Sequence, residues 1–332
     1  MMRLAIPTAI CAASLVLAAT VNEAWIGEKG GSAVRDERGR IVEVILRTSW
    51  LSDADLQALA ALPELRRLDL AHTRLSDLGF QHLKGLRNVE ELNLYYAEQV
   101  GDGALAAIKD WKNLRSLNLR GTKVSDTGLA HISTIKTLES LDIGFALVTD
   151  NGLDLLTELP NLKELMVGGN KLTDVGINAL RRVTTLTSLD LSGVQRTDSG
   201  PWFATVTDRA LEALAGLTRL EQLNLRGARI TDAGTARLAK LAELRSLDLS
   251  ETQLSVKGLA ALPQLGKLER LVLWRAERVE DDAVPVLASM KSLRWLDLKG
   301  AGVSEAGLEK LRAALPECRI LSGAVEVVQP RR

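Results

Sequence analysis

The stretch Leu114–Thr137, LRSLNLRGTKVSDTGLAHISTIKT, decides the fold. Its apolar residues are Leu114, Leu117, Leu119, Val124, Leu129, Ile132 and Ile135. Leu117 and Leu119 alternate with polar residues, the period of a strand, whereas Leu129 and Ile132 stand at helical spacing. Asp126, in Ser-Asp-Thr-Gly, falls where the helix starts, a place for a carboxylate to accept from free backbone N–H groups or to favour the helix dipole. The unit reads as a short strand, a turn and a helix. It starts again about every 24 residues, at Ile41, Leu65, Val89, Leu114, Leu138, Leu162, Leu186, Leu220, Leu244, Leu268 and Leu293.

One such unit cannot bury its own apolar face, so neighbours stack and share a core. Stacked strands need about 4.7–4.9 Å and helix axes about 8–10 Å, which bends the stack into an arc with the strands inside. The expected fold class is α/β: a solenoid of about eleven repeats, with a curved parallel sheet on the concave side and helices on the convex side. The strand signatures LRRLDL, LRSLNL, LTSLDL, LEQLNL and LRWLDL carry a resemblance to the leucine-rich repeat (LRR) family. The closest form resembles the bacterial repeat L-x-x-L-x-L-x-x-T-x-V/I-T/S-D-x-G-L-x-x-L, with Thr73, Thr122, Asn170 and Thr252 at its polar turn position. Repeats of F-box adaptors are similar but more distant. The resemblance covers Ile41 to about Leu321 and implies a protein-binding scaffold, not an enzyme.

Four regions follow. Residues 1–24 have the layout of a secretory signal: Arg3, an apolar run from Ala9 to Ala19, then small residues including Ala24. Loss of the first 18–24 residues and export to the periplasm, envelope or exterior is expected. The alternative is an uncleaved N-terminal anchor, although the run is marginal for a bilayer of about 30 Å. Residues 25–40 read as a β cap over the first repeat's edge, 41–317 as the repeats, and 318–332 as a C-terminal cap and tail. Cys318 stands where the next leucine would begin and reads as a buried capping residue. Cleavage would leave it the one cysteine, so no intramolecular disulfide is expected.

Composition narrows the function. Apolar residues make up 46% of the 332 but aromatics only 3%, so the core is expected to be aliphatic. Lys plus Arg equal Asp plus Glu at 42 each, and removing residues 1–24 takes one of each sign, Arg3 and Glu23. A neutral chain lacks the electrostatic footprint of a nucleic-acid binder. No phosphate loop, nucleophile elbow or H-E-x-x-H motif is found, and no cofactor or metal is expected. His72, His82 and His131 read as surface residues. The row Asp69, Asn93, Asn118, Asp142, Met166, Asp190, Asn224, Asp248, Val272 and Asp297 reads as a solvated sheet face, too interrupted for a paired-carboxylate hydrolase of glycans.

A protein partner is expected instead. Tyr95, Tyr96, Phe145, Trp274 and Trp295, with Arg120, Arg226 and Arg275, fall at outward positions on the strands or just beyond, joined by Arg47 and Lys299. Tyr, Trp and Arg dominate binding hot spots. The bland alternative is that the rings only cover neighbouring strands. Length anomalies point to the rim where strands exit. LYYAEQVGDGAL and LWRAERVEDDAV carry one extra residue each, and one repeat has about ten, Gln195 to Ala204, including Trp202 and Phe203. That insertion reads as a loop bearing contacts on a rigid scaffold. The function expected is an exported scaffold using the concave face and this rim; the alternative is an intracellular adaptor or effector of F-box type. A membrane enters only if the N-terminal segment is retained.

Overall fold

The computed structural model describes residues 22–197, 200–203 and 206–323. The segment read as an export signal lies outside the described residues as far as 21, and the tail does so from 324. The strands are β1 (Ser32–Arg35), β2 (Ile41–Ile45), β3 (Arg67–Asp69), β4 (Glu91–Asn93), β5 (Ser116–Asn118), β6 (Ser140–Asp142), β7 (Glu164–Met166), β8 (Ser188–Asp190), β9 (Val194–Thr197), β10 (Gly200–Phe203), β11 (Gln222–Asn224), β12 (Ser246–Asp248), β13 (Arg270–Val272), β14 (Trp295–Asp297) and β15 (Arg319–Leu321). β1 runs antiparallel to β2; from β2 onward the sheet is parallel and in sequence order, with β8 beside β11. β9 and β10 form a separate two-stranded ribbon. A short helix on the outer side follows nearly every strand of the parallel sheet. This is an LRR solenoid.

One apolar core runs from Ile26 to Leu315. It is mainly aliphatic, but Trp111 and Phe80 are fully buried, so the expectation of an aliphatic core fails at these two. Both occupy leucine-sized register positions, where the wider ring fills the space between neighbouring repeats. At the N-terminus the helix Glu23–Glu28 precedes β1, capped by Asn22 Oδ1, which accepts from Trp25 N at 3.0 Å. Its Ile26 is wholly buried. At the other end Cys318 packs against the core but is only half-buried, not the buried cap expected. Burial first, against the opposing charge of Arg294, pushes its thiol pKa up.

The S/T-D-x-G motif turns out to bind repeats to one another. Ser125 Oγ caps its own helix by accepting from Thr127 N. The carboxylate of Asp126, however, serves the next repeat: Oδ1 accepts from Thr149 N at 2.8 Å and Oδ2 from Thr149 Oγ1 at 2.5 Å. The same pair of bonds joins Asp53 to Ser76, Asp102 to Ser125, Asp150 to Thr173, Asp208 to Thr231, Asp232 to Ser255 and Asp281 to Ser304. Asp77 meets Gly101 N and Gly103 N instead. Val256 stands at the aspartate position in one repeat and interrupts the series. The glycine of the motif makes room for the previous carboxylate: a Cβ on Gly79 would stand 2.8 Å from Asp53 Oδ1, and Gly152 and Gly176 are equally closed by Asp126 and Asp150.

The turn after four of the strands is closed from inside by a polar side chain. Thr73, Thr122 and Thr252 are buried and donate through Oγ1 to the carbonyls of Leu70, Leu119 and Leu249. Asn170, wholly buried, donates to both Val167 and Ile143 carbonyls and accepts from Val148 N.

Asp126→Ala removes a charged acceptor from two donors, Thr149 N and Thr149 Oγ1, and with it the polar link between two repeats. It is expected to lower stability by about 1–3 kcal/mol, read from urea unfolding, although the residue touches no apolar core.

Two members of the aspartate series, Asp232 and Asp281, contribute to the acid limit. Burial raises the Asp232 carboxyl, but the Ser255 hydroxyl and the N–H groups of Ser255 and Gly258 outweigh it and leave its pKa below the ordinary value. Asp281 is lowered chiefly by the Ser304 hydroxyl and N–H. Folded values below unfolded ones mean that this stability is complete above the unfolded pKa and is lost as pH falls through the folded one. The melting temperature is expected to stay level down to about pH 5 and to fall below about pH 4.

Candidate partner-binding face

The row Asp69 to Asp297 lies in register across the sheet, β3 to β14. It is not simply a solvated face. Each Asp or Asn in it bends its Oδ1 over to accept from the backbone N two residues on: Asp69 from Ala71, Asn93 from Tyr95, Asn118 from Arg120, Asp142 from Gly144, Asp190 from Ser192, Asn224 from Arg226, Asp248 from Ser250 and Asp297 from Lys299. These Asx turns steer the chain out of the strand. Periodicity shows the polar type at this position but not where its side chain turns.

The residue immediately after that N–H position defines the rim, and its backbone is left-handed. Gly121, Gly169, Gly193, Gly227 and Gly300 take it at positive φ, as glycine does freely. Six repeats put a side chain there: Thr48, His72, Tyr96, Phe145, Glu251 and Arg275, at φ of 51° to 59°. For an L residue this conformation costs roughly 1–2 kcal/mol. Strain of this kind persists where a side chain is wanted for contact.

Four groupings result. His72 stacks on Tyr96 at 5.8 Å and 9°, with Tyr95 edge-on to both at 5.2 and 4.7 Å. Arg120 Nε donates to Asp142 Oδ2 at 2.9 Å, and its guanidinium lies 5.3 Å from the Phe145 ring. Trp274 meets the guanidiniums of Arg226 at 4.4 Å and Arg275 at 4.5 Å, and both arginines reach Glu251, at 2.8 and 3.8 Å. Trp295 stands between Arg270 and Arg319, each at 4.8 Å. The rings do cover neighbouring strands: a Cβ on Gly121 would stand 2.8 Å from Tyr96, and one on Gly169 would stand 2.7 Å from Phe145. They nonetheless remain half-exposed, Tyr96 and Phe145 over the glycine floor and Trp274 and Trp295 between guanidiniums.

The first two groupings span β3 to β6, and the other two β11 to β15. β7 and β8 separate them, a gap of about 14 Å over three strand spacings. The insertion rises from the exit of β8, inside that gap. It is a β-hairpin, not the loop expected: Val194 pairs with Phe203, Gln195 with Trp202, Arg196 with Pro201 and Thr197 with Gly200. Alternating Val-Gln-Arg-Thr gives one strand and Pro201 stands on the other, at home on a ribbon edge. The backbone places Trp202 and Phe203 on β10; Ala204 lies outside the described residues, as do the side chains of both aromatics. The solenoid closes beneath the ribbon, with Thr207 donating to Asp174 across it at 2.7 and 2.6 Å.

Sequence reasoning missed Trp50, which is 86% exposed beside Thr48 and His72 on the same rim. It lies one residue beyond the strand-exit turn, outside the positions that the period singles out. Among the described residues no helix is long and apolar enough to cross a membrane.

The family profile described as "Leucine Rich repeat" matches residues 112–133 and 158–180. Among solved structures, an internalin from Listeria monocytogenes is similar with a TM-score of 0.57 at 18% identity, covering 88% of this chain and 91% of that one. The structure titled PEPR1-AtPEP1 reaches 0.49 at 15% identity, over 88% of this chain and 40% of that one. No curated protein matches the sequence. The chain is a leucine-rich repeat protein.

If the left-handed side chains are kept for contact and not for stability, glycine should be the more stable choice. Thr48→Gly is the clearest case, because a β-branched residue is least at ease there. Its urea midpoint is expected to rise, by about 1 kcal/mol in stability; a fall would mean that the threonine is a packing residue.

Proposed function

We propose that this protein is an exported, non-catalytic scaffold that binds a protein partner through its concave face and strand-exit rim. The observation that carries the reading is the row of strained positions. Where glycine is free, the chain holds Tyr96, Phe145 and Arg275, and beside them Tyr95, Arg120, Arg226 and Trp274. Half-exposed aromatics packed on one another or against arginines, as Trp274 is between Arg226 and Arg275, are the residue types and the preorganisation that hot spots need. The acids of the concave row turn their oxygens to backbone N–H groups, which argues against a glycan hydrolase built on them. Export rests on the layout of residues 1–24. Because Asn22 caps the helix whose Ile26 is buried, cleavage compatible with this fold falls before Asn22. N-terminal sequencing of protein from the native host tests export: a mature end at about residues 18–22 supports it, and an intact Met1 in a cytoplasmic fraction favours the adaptor reading.

The ribbon provides the binding test. Deleting 195–204 removes no member of the aspartate series and no core leucine, so stability is expected to change by no more than about 1 kcal/mol. Binding should suffer more. With Trp202 as an anchor, Trp202→Ala is expected to weaken a partner captured from the native envelope by roughly thirtyfold, the hot-spot threshold of about 2 kcal/mol. A large melting loss with unchanged affinity would make the ribbon a packing element.

A further inference from the structure

Outward positions on the N-terminal strands come with their counter-ions. Arg67 on β3 pairs with Glu43 on β2 at 2.6 Å, and Arg47 pairs with Asp69. At the position of Arg67, β13 and β15 also carry arginines, Arg270 and Arg319, but the strand between them carries Trp295. Among the described residues neither guanidinium meets a carboxylate. The acids nearest in sequence are already engaged, Glu269 by Arg245 at 2.9 Å and Glu317 by Arg294 at 3.3 Å. Asp297 turns its Oδ1 to Lys299 N. The Trp295 Nε1, shut off from solvent, has no acceptor either.

Stacking occupies the flat face of a guanidinium and leaves its in-plane N–H groups to donate outward. Those edges match a carboxylate in a two-bond fork. Holding two cations on either side of one ring raises repulsion that an anion relieves. We propose that Arg270 and Arg319 are a docking site for an acidic peptide segment of the partner, carrying two carboxylates. The strands are two spacings apart, about 9.5 Å, which an extended peptide covers in about three residues. Apolar side chains between the acids would meet Val272 and Leu321, which lie in register beside Asp297. A peptide fits better than an acidic glycan, because the flanking arginines leave Trp295 no open face for a sugar ring. The proposal rests on reading this face as the partner surface, and names the chemistry that it takes.

The test uses the full chain and an array of synthetic nonapeptides in low salt, with a heparin oligosaccharide as competitor. Selected peptides are expected to carry Asp or Glu at two positions two to three residues apart with apolar residues between. Arg270→Gln with Arg319→Gln keeps the stems over the indole, and is expected to weaken these peptides at least about tenfold with an unchanged melting curve. The Lys pair, which keeps charge but lacks the fork, is expected to fall between. The proposal is overturned if no acidic preference emerges, if the Gln pair binds as well as the parent, or if heparin outcompetes every peptide. A native partner still captured by the Gln pair but lost on Trp202→Ala would overturn this site and leave the scaffold reading standing.

Discussion

The carboxylate of one repeat, held by the hydroxyl and N–H that open the next repeat's helix, is the interaction on which the rest of this molecule depends. A solenoid has no long-range closure, so each repeat must be positioned by its neighbour alone. The leucines supply burial but not register, because aliphatic contacts are non-directional. Asp126 supplies register: it can satisfy Thr149 N and Oγ1 together only at one offset between repeats. Where the hydroxyl also accepts from its own helix, as Ser125 Oγ does from Thr127 N, a single Ser or Thr links both units. That the bond survives across the ribbon, from Asp174 to Thr207, explains how ten surplus residues can enter without disturbing the stack.

Once the helix starts are fixed, the strand exits are fixed with them. The Asx turns then deliver the chain to the same left-handed residue in each repeat, on one rim. That position is a choice between conformational ease and a side chain. Glycines at 121, 169 and 193 take the first and make a low floor; Tyr96 and Phe145 take the second and lie across it. Neither works alone: a Cβ on Gly169 would lift Phe145 off the rim, and a glycine at 145 would leave the floor bare. The ring positions are therefore set by backbone geometry in the following repeat as much as by their own rotamers.

What could be read from the sequence follows from which features are local. Leu117, Leu119, Leu129 and Ile132 declare strand and helix by spacing, and Thr122 declares the turn by its place in the motif. The partner of Asp126 was not legible, because a residue 23 positions away meets it only after stacking. The same holds for the aspartates and asparagines of the concave row, whose type shows in the sequence but whose rotation toward the backbone does not. Gln195–Ala204 could be located as surplus, yet the pairing of Val194–Thr197 with Gly200–Phe203 depends on a register that Pro201 and Gly200 do not announce. His72 and Trp50 are missed for a different reason: a surface histidine does not announce the ring stack it joins, and Trp50 lies off the repeating positions.

Electrostatics illustrates the same limit and carries a functional meaning. Equal totals of 42 cations and 42 anions describe a neutral chain, and neutrality argues against a long phosphate backbone as a ligand. It says nothing about local matching. On β2 and β3 the outward charges meet across adjacent strands, Glu43 with Arg67, and surface pairs of that kind add little beyond solubility. On β13 to β15 the sheet substitutes an indole where the acid would stand, so two cations share a ring instead of a counter-ion. Such an arrangement gives up local neutralisation and gains a stacked, solvent-facing pair of donors. A neutral protein can thus hold a sharply charged site, provided that the compensating acids are fixed elsewhere along the strand entries, as Glu269 is by Arg245.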